Sequence, residues 1–149
     1  MPPPSGDDPT CVSWRLHLKG APATVYDLIA TPSGRSRFWA ESADERGGAI
    51  EFRFSNGAVW RGRVLERDAP WHFAVEYFGG SRAAFDLAGD GAGGTDLTLT
   101  ETGLPADDWA ENRAGWVSVL LALKAAADFG VDLRNHDPRR SWDAGFVDN

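Results

Sequence analysis

Residues 12–19 alternate strictly, with Val12, Trp14, Leu16 and Leu18 separated by Ser13, Arg15, His17 and Lys19. That two-residue period predicts a strand with one buried face. Ala21-Pro22-Ala23 then opens a helix, because proline at the first turn loses no hydrogen bond, and Val25, Tyr26, Leu28 and Ile29 supply its apolar stripe. Thr31-Pro32-Ser33-Gly34 ends it, and a second short helix is expected over 35–40, carrying Phe38 and Trp39. From residue 47 to 102 the pattern is strands alone, over 50–54, 58–67, 71–78, 82–87 and 95–101. Ser55-Asn56-Gly57, Asp68-Ala69-Pro70 and Gly79-Gly80-Ser81 supply the breaks. After Gly103-Leu104-Pro105 one long helix follows, with Asp107 or Asp108 as its expected N-cap. Trp109, Trp116, Leu120, Leu123 and Ala127 form one stripe along it, and Phe129-Gly130 ends it.

This order predicts an α+β domain: a curved antiparallel six-stranded sheet wrapped round a long C-terminal helix, with two short helices after the first strand. A gap between the helix and the concave face of such a sheet becomes a pocket. Residues 1–10, with four prolines, read as a disordered lead, residues 11–130 as the domain, and 131–149 as a tail that packs on the domain or on a partner. A homodimer through that tail is one expectation, since Trp142 and Phe146 lie among arginines and interface cores favour that mixture.

The net charge of −7 over 149 residues argues against nucleic acid as a partner, because phosphate binding needs a basic surface. No run approaches the roughly 20 apolar residues of a membrane span. The single cysteine, Cys11, excludes an internal disulfide framework and points to a reducing, cytoplasmic setting. What sets the chain apart is aromatic content, seven Trp and eight Phe, which implies either a dense core or a lined cavity.

Three further stretches carry a resemblance. Ala21-Pro22-Ala23-Thr24-Val25-Tyr26, the run from Gly94-Thr95-Asp96 through Gly103-Leu104-Pro105, and Gly115-Trp116 with Leu120, Leu123 and Lys124 are similar to the START-like (SRPBCC) superfamily. Within it they resemble the branch named for the activator of the heat-shock protein 90 ATPase. The tail from Asp132 to Asn149 looks like an extension shared by a bacterial subset. The resemblance implies the helix-grip fold and a hydrophobic cavity between sheet and long helix. Members use it for binding lipids or polyketides, for cyclisation or hydrolysis of small aromatic compounds, or for co-chaperone work. Fold alone does not choose among these.

The chemistry-bearing residues narrow the choice. Gly89, Gly91 and Gly94 match a dinucleotide fingerprint, but a strand follows them where a helix N-terminus would have to hold the pyrophosphate. His17, His72 and His136 are far apart and fit no metal spacing, and Cys11 has no evident base. There is no G-x-S-x-G elbow. No metal or cofactor is expected. By alternation Glu101 shares the face of Leu97 and Leu99, making it the candidate catalytic carboxylate, or else an end-of-strand residue reaching solvent. Candidate cavity residues are Phe38, Trp39, Phe52, Phe54, Trp60, Phe73, Tyr77, Phe85, Leu97, Leu99, Trp116 and Leu120. The expected function is binding of a small hydrophobic or aromatic molecule, lipid or polyketide-like. The alternatives are an enzyme on the same scaffold, such as a cyclase, dehydratase or hydrolase, and an interaction module needing an exposed apolar patch.

Overall fold

A computed structural model describes residues 8–149. The lead expected over 1–10 lies outside the described residues up to position 7. At positions 8–10 the Asp8 carboxylate accepts from the Thr10 amide at 2.9 Å, closing a turn. The elements are β1 (Cys11–Leu18), α1 (Pro22–Ala30), α2 (Pro32–Arg35), β2 (Ser42–Arg46), β3 (Ala49–Arg53), β4 (Val59–Asp68), β5 (His72–Tyr77), β6 (Ser81–Gly89), β7 (Thr95–Thr102) and α3 (Trp109–Lys124). The seven strands form one antiparallel sheet in the order β1-β7-β6-β5-β4-β3-β2.

Two expectations need correction. The sheet has seven strands rather than six, because β2 pairs with β3 along its whole length. Its sequence, Ser-Ala-Asp-Glu-Arg, buries only Ala43 and carries no apolar alternation. Charge on an edge strand blocks further pairing, which is why the signal is silent there. The second helix covers Pro32–Arg35, not 35–40: Pro32 sets its first turn, the Thr31 hydroxyl accepts from the Gly34 amide at 3.1 Å, and residues 36–39 continue as turns. Likewise Asp108 stands at the N-cap of α3 without capping it through its side chain.

Burial follows the alternation. Phe73 and Val75 on β5, Phe85 on β6, and Leu97 and Leu99 on β7 are wholly buried on one face. Gly62 on β4 is needed for close approach, since a Cβ there would stand 1.8 Å from the Glu76 carbonyl oxygen on β5. Arg35 at the end of α2 is wholly buried, without a carboxylate partner among the described residues. It donates from Nε and Nη2 to the Ala43 carbonyl at 3.1 and 2.8 Å and from Nη1 to the Ile29 carbonyl at 3.2 Å. These bonds tie the end of α1 to β2, and desolvation brings the guanidinium down to about 10.

The long helix is fastened to one side of the sheet. The Trp109 indole N–H donates to the Cys11 carbonyl at 2.8 Å and the Trp14 indole N–H to the Arg113 carbonyl at 3.0 Å. The Lys124 ammonium donates to the His17 carbonyl at 2.7 Å. The Arg113 guanidinium also lies 4.1 Å over the Trp14 ring. These contacts advance in step along β1 and α3, so the helix runs parallel to β1. At its far end a π turn over Ala125–Phe129 leads to Gly130, whose φ of 65° ends it in the left-handed region. Held against β1, the helix leaves the β2–β4 wing of the sheet unroofed at one end.

Candidate ligand cleft

Beneath α3 the interior is filled by rings around Trp39. Its centroid lies 4.8 Å from Phe52, 5.3 Å from Phe85, 5.6 Å from Tyr77, 5.8 Å from Trp116 and 6.0 Å from Phe38. The Trp39 indole N–H donates to the Tyr77 hydroxyl at 3.0 Å inside this cluster. Burial pushes the Tyr77 phenol above its ordinary value.

Beside the cluster a cleft of about 860 Å³ opens between α3, the turn joining β3 to β4, Phe78 and the tail. Of the candidate cavity residues, Phe38, Trp39, Phe54, Tyr77 and Trp116 line it. Phe52, Phe73, Phe85, Leu97, Leu99 and Leu120 are buried in the core instead. Trp60 is half-buried against Phe78, 5.2 Å between centroids, and its indole N–H has no partner among the described residues. The alternation gives each strand residue its face but not its distance from the helix, and here distance separates core from cleft. Sequence reasoning missed Phe78, which follows β5 in a tight turn, and the small residues Ala114, Gly115 and Ser118 of α3. A helix face without bulk facing an aromatic wall is a signal that could have found them. It also missed the contribution of Leu133, Trp142 and Val147 from the tail.

Glu101 does not reach solvent; it is wholly buried on β7. Its Oε2 accepts from the Ser81 hydroxyl at 2.6 Å, and its Oε1 from the Trp116 indole N–H at 2.8 Å and the Asn112 amide at 3.4 Å. Trp116 and Asn112 line the cleft whereas Glu101 does not, so the carboxylate stands behind the wall and orients it. Such a satisfied buried acceptor fixes the rotamers of its donors. Cys11 is also buried, and desolvation raises its thiol, which removes thiolate character. The 89–94 loop closes on its own Asp90, whose carboxylate accepts from the Ala92 and Gly94 amides at 2.7 and 2.9 Å. A hydrogen bond from His17, and then these two, hold the carboxyl down at about 2.

The tail crosses the cleft mouth. Arg134 donates to the Ala40 carbonyl at 2.8 Å, to the Ser36 carbonyl at 2.7 Å and to the Asp132 carboxylate at 2.9 Å. The Trp142 indole N–H donates to Glu111 at 3.1 Å and the Asn56 amide to Asp143 at 2.8 Å, joining the tail to α3 and to the β3–β4 turn. His136 Nδ1 is 2.7 Å from Glu41 Oε1 and Nε2 2.7 Å from Asp132 Oδ2. Glu41 and then Asp132 raise its pKa above the ordinary 6.5, while burial and Arg134 oppose this. A raised folded pKa means the contact stabilises fully below the unfolded value and is lost as pH rises through the folded one. The melting temperature of the chain should therefore exceed that of His136→Asn most at pH below 6.5, by the equivalent of about 1 kcal/mol or less, with the gap closing on the alkaline side. A gap that widens with pH would contradict the ion-pair reading.

The family model for activator of Hsp90 ATPase homolog 1-like proteins matches residues 19–128. No curated protein matches the chain significantly. Among solved structures, the Aha1 dimer from Colwellia psychrerythraea is similar with a TM-score of 0.72 and 23% identity, over 80% of this chain and 97% of that one. The protein SSP2350 from Staphylococcus saprophyticus is similar with a TM-score of 0.72 and 22% identity, over 83% and 96%. DynU16, a putative protein in the dynemicin biosynthetic locus, gives 0.69 and 19% over 83% of this chain and 49% of that one. At these identities the structures show a shared fold, the START-like helix grip, and the family match covers most of the chain. The chain belongs to the activator of Hsp90 ATPase homolog 1-like family.

Proposed function

We propose that this protein binds a small hydrophobic or aromatic molecule in the cleft between the β2–β4 side of the sheet, α3 and the tail. The supporting observation is the cleft itself: about 860 Å³, within the range of small-molecule sites, with Phe38, Trp39, Phe54, Tyr77, Phe78 and Trp116 on its walls. Catalysis is the weaker reading, because Glu101 is separated from the cleft by Trp116 and Asn112. The cytoplasmic setting expected from the lone cysteine belongs to the same proposal.

Gly115 gives a direct test. It lies inside α3, where glycine costs about 1 kcal/mol relative to alanine, and nothing stands within 4 Å of where its Cβ would be. Gly115→Leu combined with Ser118→Leu fills the cleft from the helix side. The double variant should match or exceed the parent in stability and bind the neutral fluorophore N-phenyl-1-naphthylamine at least ~10-fold more weakly, a change of about 1.4 kcal/mol. Equal affinity in parent and variant would place binding elsewhere.

A homodimer is a second reading. The Colwellia structure is of a dimer, and just past α3 this chain exposes Phe129, Val131 and Leu133 at 61%, 51% and 51%. Sedimentation of the full chain against Phe129→Asp separates dimer from monomer.

A further inference from the structure

Among the described residues, the charge lining the cleft is mostly negative. Four carboxylates face it, Glu41, Glu111, Asp143 and Asp148, against one guanidinium, Arg134. Arg134 is already matched by the Asp132 carboxylate and two carbonyls, and Glu41 is matched by His136. The other three carboxylates have only neutral partners among the described residues. Glu111 accepts from the Trp142 indole, Asp143 from the Asn56 amide at 2.8 Å, and Asp148 from the Asn135 amide at 3.2 Å. Hydrogen bonds of that kind fix the carboxylates in place without cancelling their charge. The whole chain, at −7, adds a field of the same sign.

The opposite wall is apolar with few polar atoms. The Tyr77 hydroxyl accepts from Trp39, which leaves its own O–H to donate, and the Ser55 hydroxyl is buried without a partner among the described residues. Trp116 and Trp142 add ring faces that attract cations.

We propose that the cleft selects cationic aromatic amines, with the ring against Tyr77 and Trp116 and the ammonium toward Glu111 and Asp143, and rejects carboxylate ligands such as fatty acids. This rests on the binding function proposed above and narrows its ligand class. A fatty-acid headgroup in the mouth would meet three uncompensated carboxylates and, among the described residues, no available cation. An ammonium there is attracted by all three, and their effect is felt because a half-open cleft screens charges less than bulk water does.

Three probes on one ring system test this by calorimetric titration of the full chain: 2-naphthylmethylammonium, neutral 2-acetylnaphthalene and 2-naphthoate. The cation should bind at least ~10-fold more tightly than the anion at low salt, with the ratio shrinking as salt screens the rim. The neutral ketone should fall between them, independent of salt. Glu111→Gln with Asp143→Asn keeps an acceptor oxygen at each position and should cut the cation-to-anion ratio several-fold, Asp148 retaining the remainder, while leaving the ketone unchanged. Anion binding equal to or tighter than cation binding, or a ratio unmoved by the double variant, overturns the proposed selectivity while leaving aromatic binding intact. Failure of all three probes overturns the binding function itself.

Discussion

Replacing Trp39 with alanine should lower the free energy of unfolding by about 4 kcal/mol, the upper range for a large-to-small change in a core. The side chain is 3% exposed and touches five other rings. Deleting it leaves a void that rings on four different elements would have to collapse into. It also takes from the Tyr77 hydroxyl the only donor it accepts from among the described residues. Urea denaturation gives the value, and Trp60→Ala is the control. Trp60 is half-buried and its indole N–H has no partner among the described residues, so its loss should cost less than half as much. Equal losses would mean that Trp39 is not the keystone of the aromatic cluster.

Arg35→Met should cost about 3 kcal/mol although methionine suits a buried site. Two effects compete. Removing the guanidinium relieves the burial of a charge, visible in its fall to about 10, and leaves the Ile29 and Ala43 carbonyls without their donors. The bonds should win, because each orphaned buried carbonyl costs about 1–3 kcal/mol. Arg35→Lys should fail to restore stability, since one ammonium cannot span acceptors on α1 and β2 at once. A methionine variant as stable as the parent would show that desolvation cancels the bonds.

The two residues mark the limits of what the sequence reveals. The alternation of β1 and β5–β7 and the stripe of α3 are read directly, because each buries one face against a common core. β2 was invisible, since an edge strand with a single buried alanine has no hydrophobic period. Arg35 was equally silent: nothing local marks a cation whose acceptors lie six and eight residues away on other elements. At the cleft, five of the twelve candidate residues line its walls, six lie in the core, and Trp60 is half-buried against Phe78. The difference comes from the tertiary decision to fasten α3 to β1, made through Trp109, Trp14 and Lys124. Glu101 was assigned the inward face correctly, but its partners Ser81, Asn112 and Trp116 come from β6 and α3, beyond any local pattern.

The most direct test of the binding function is an amide chemical-shift titration of the full chain with 2-acetylnaphthalene. Saturable shifts should cluster at Phe54, Ser55, Asn56 and Ala58, at Phe78, on the α3 face that carries Asn112, Gly115, Ser118 and Leu121, and at the tail residues Leu133, Trp142 and Val147, all on the cleft. The amides of β6 beyond Phe85 should stay still. Absence of saturable shifts, or shifts centred on Phe129 and Val131 outside the cleft, would contradict the account.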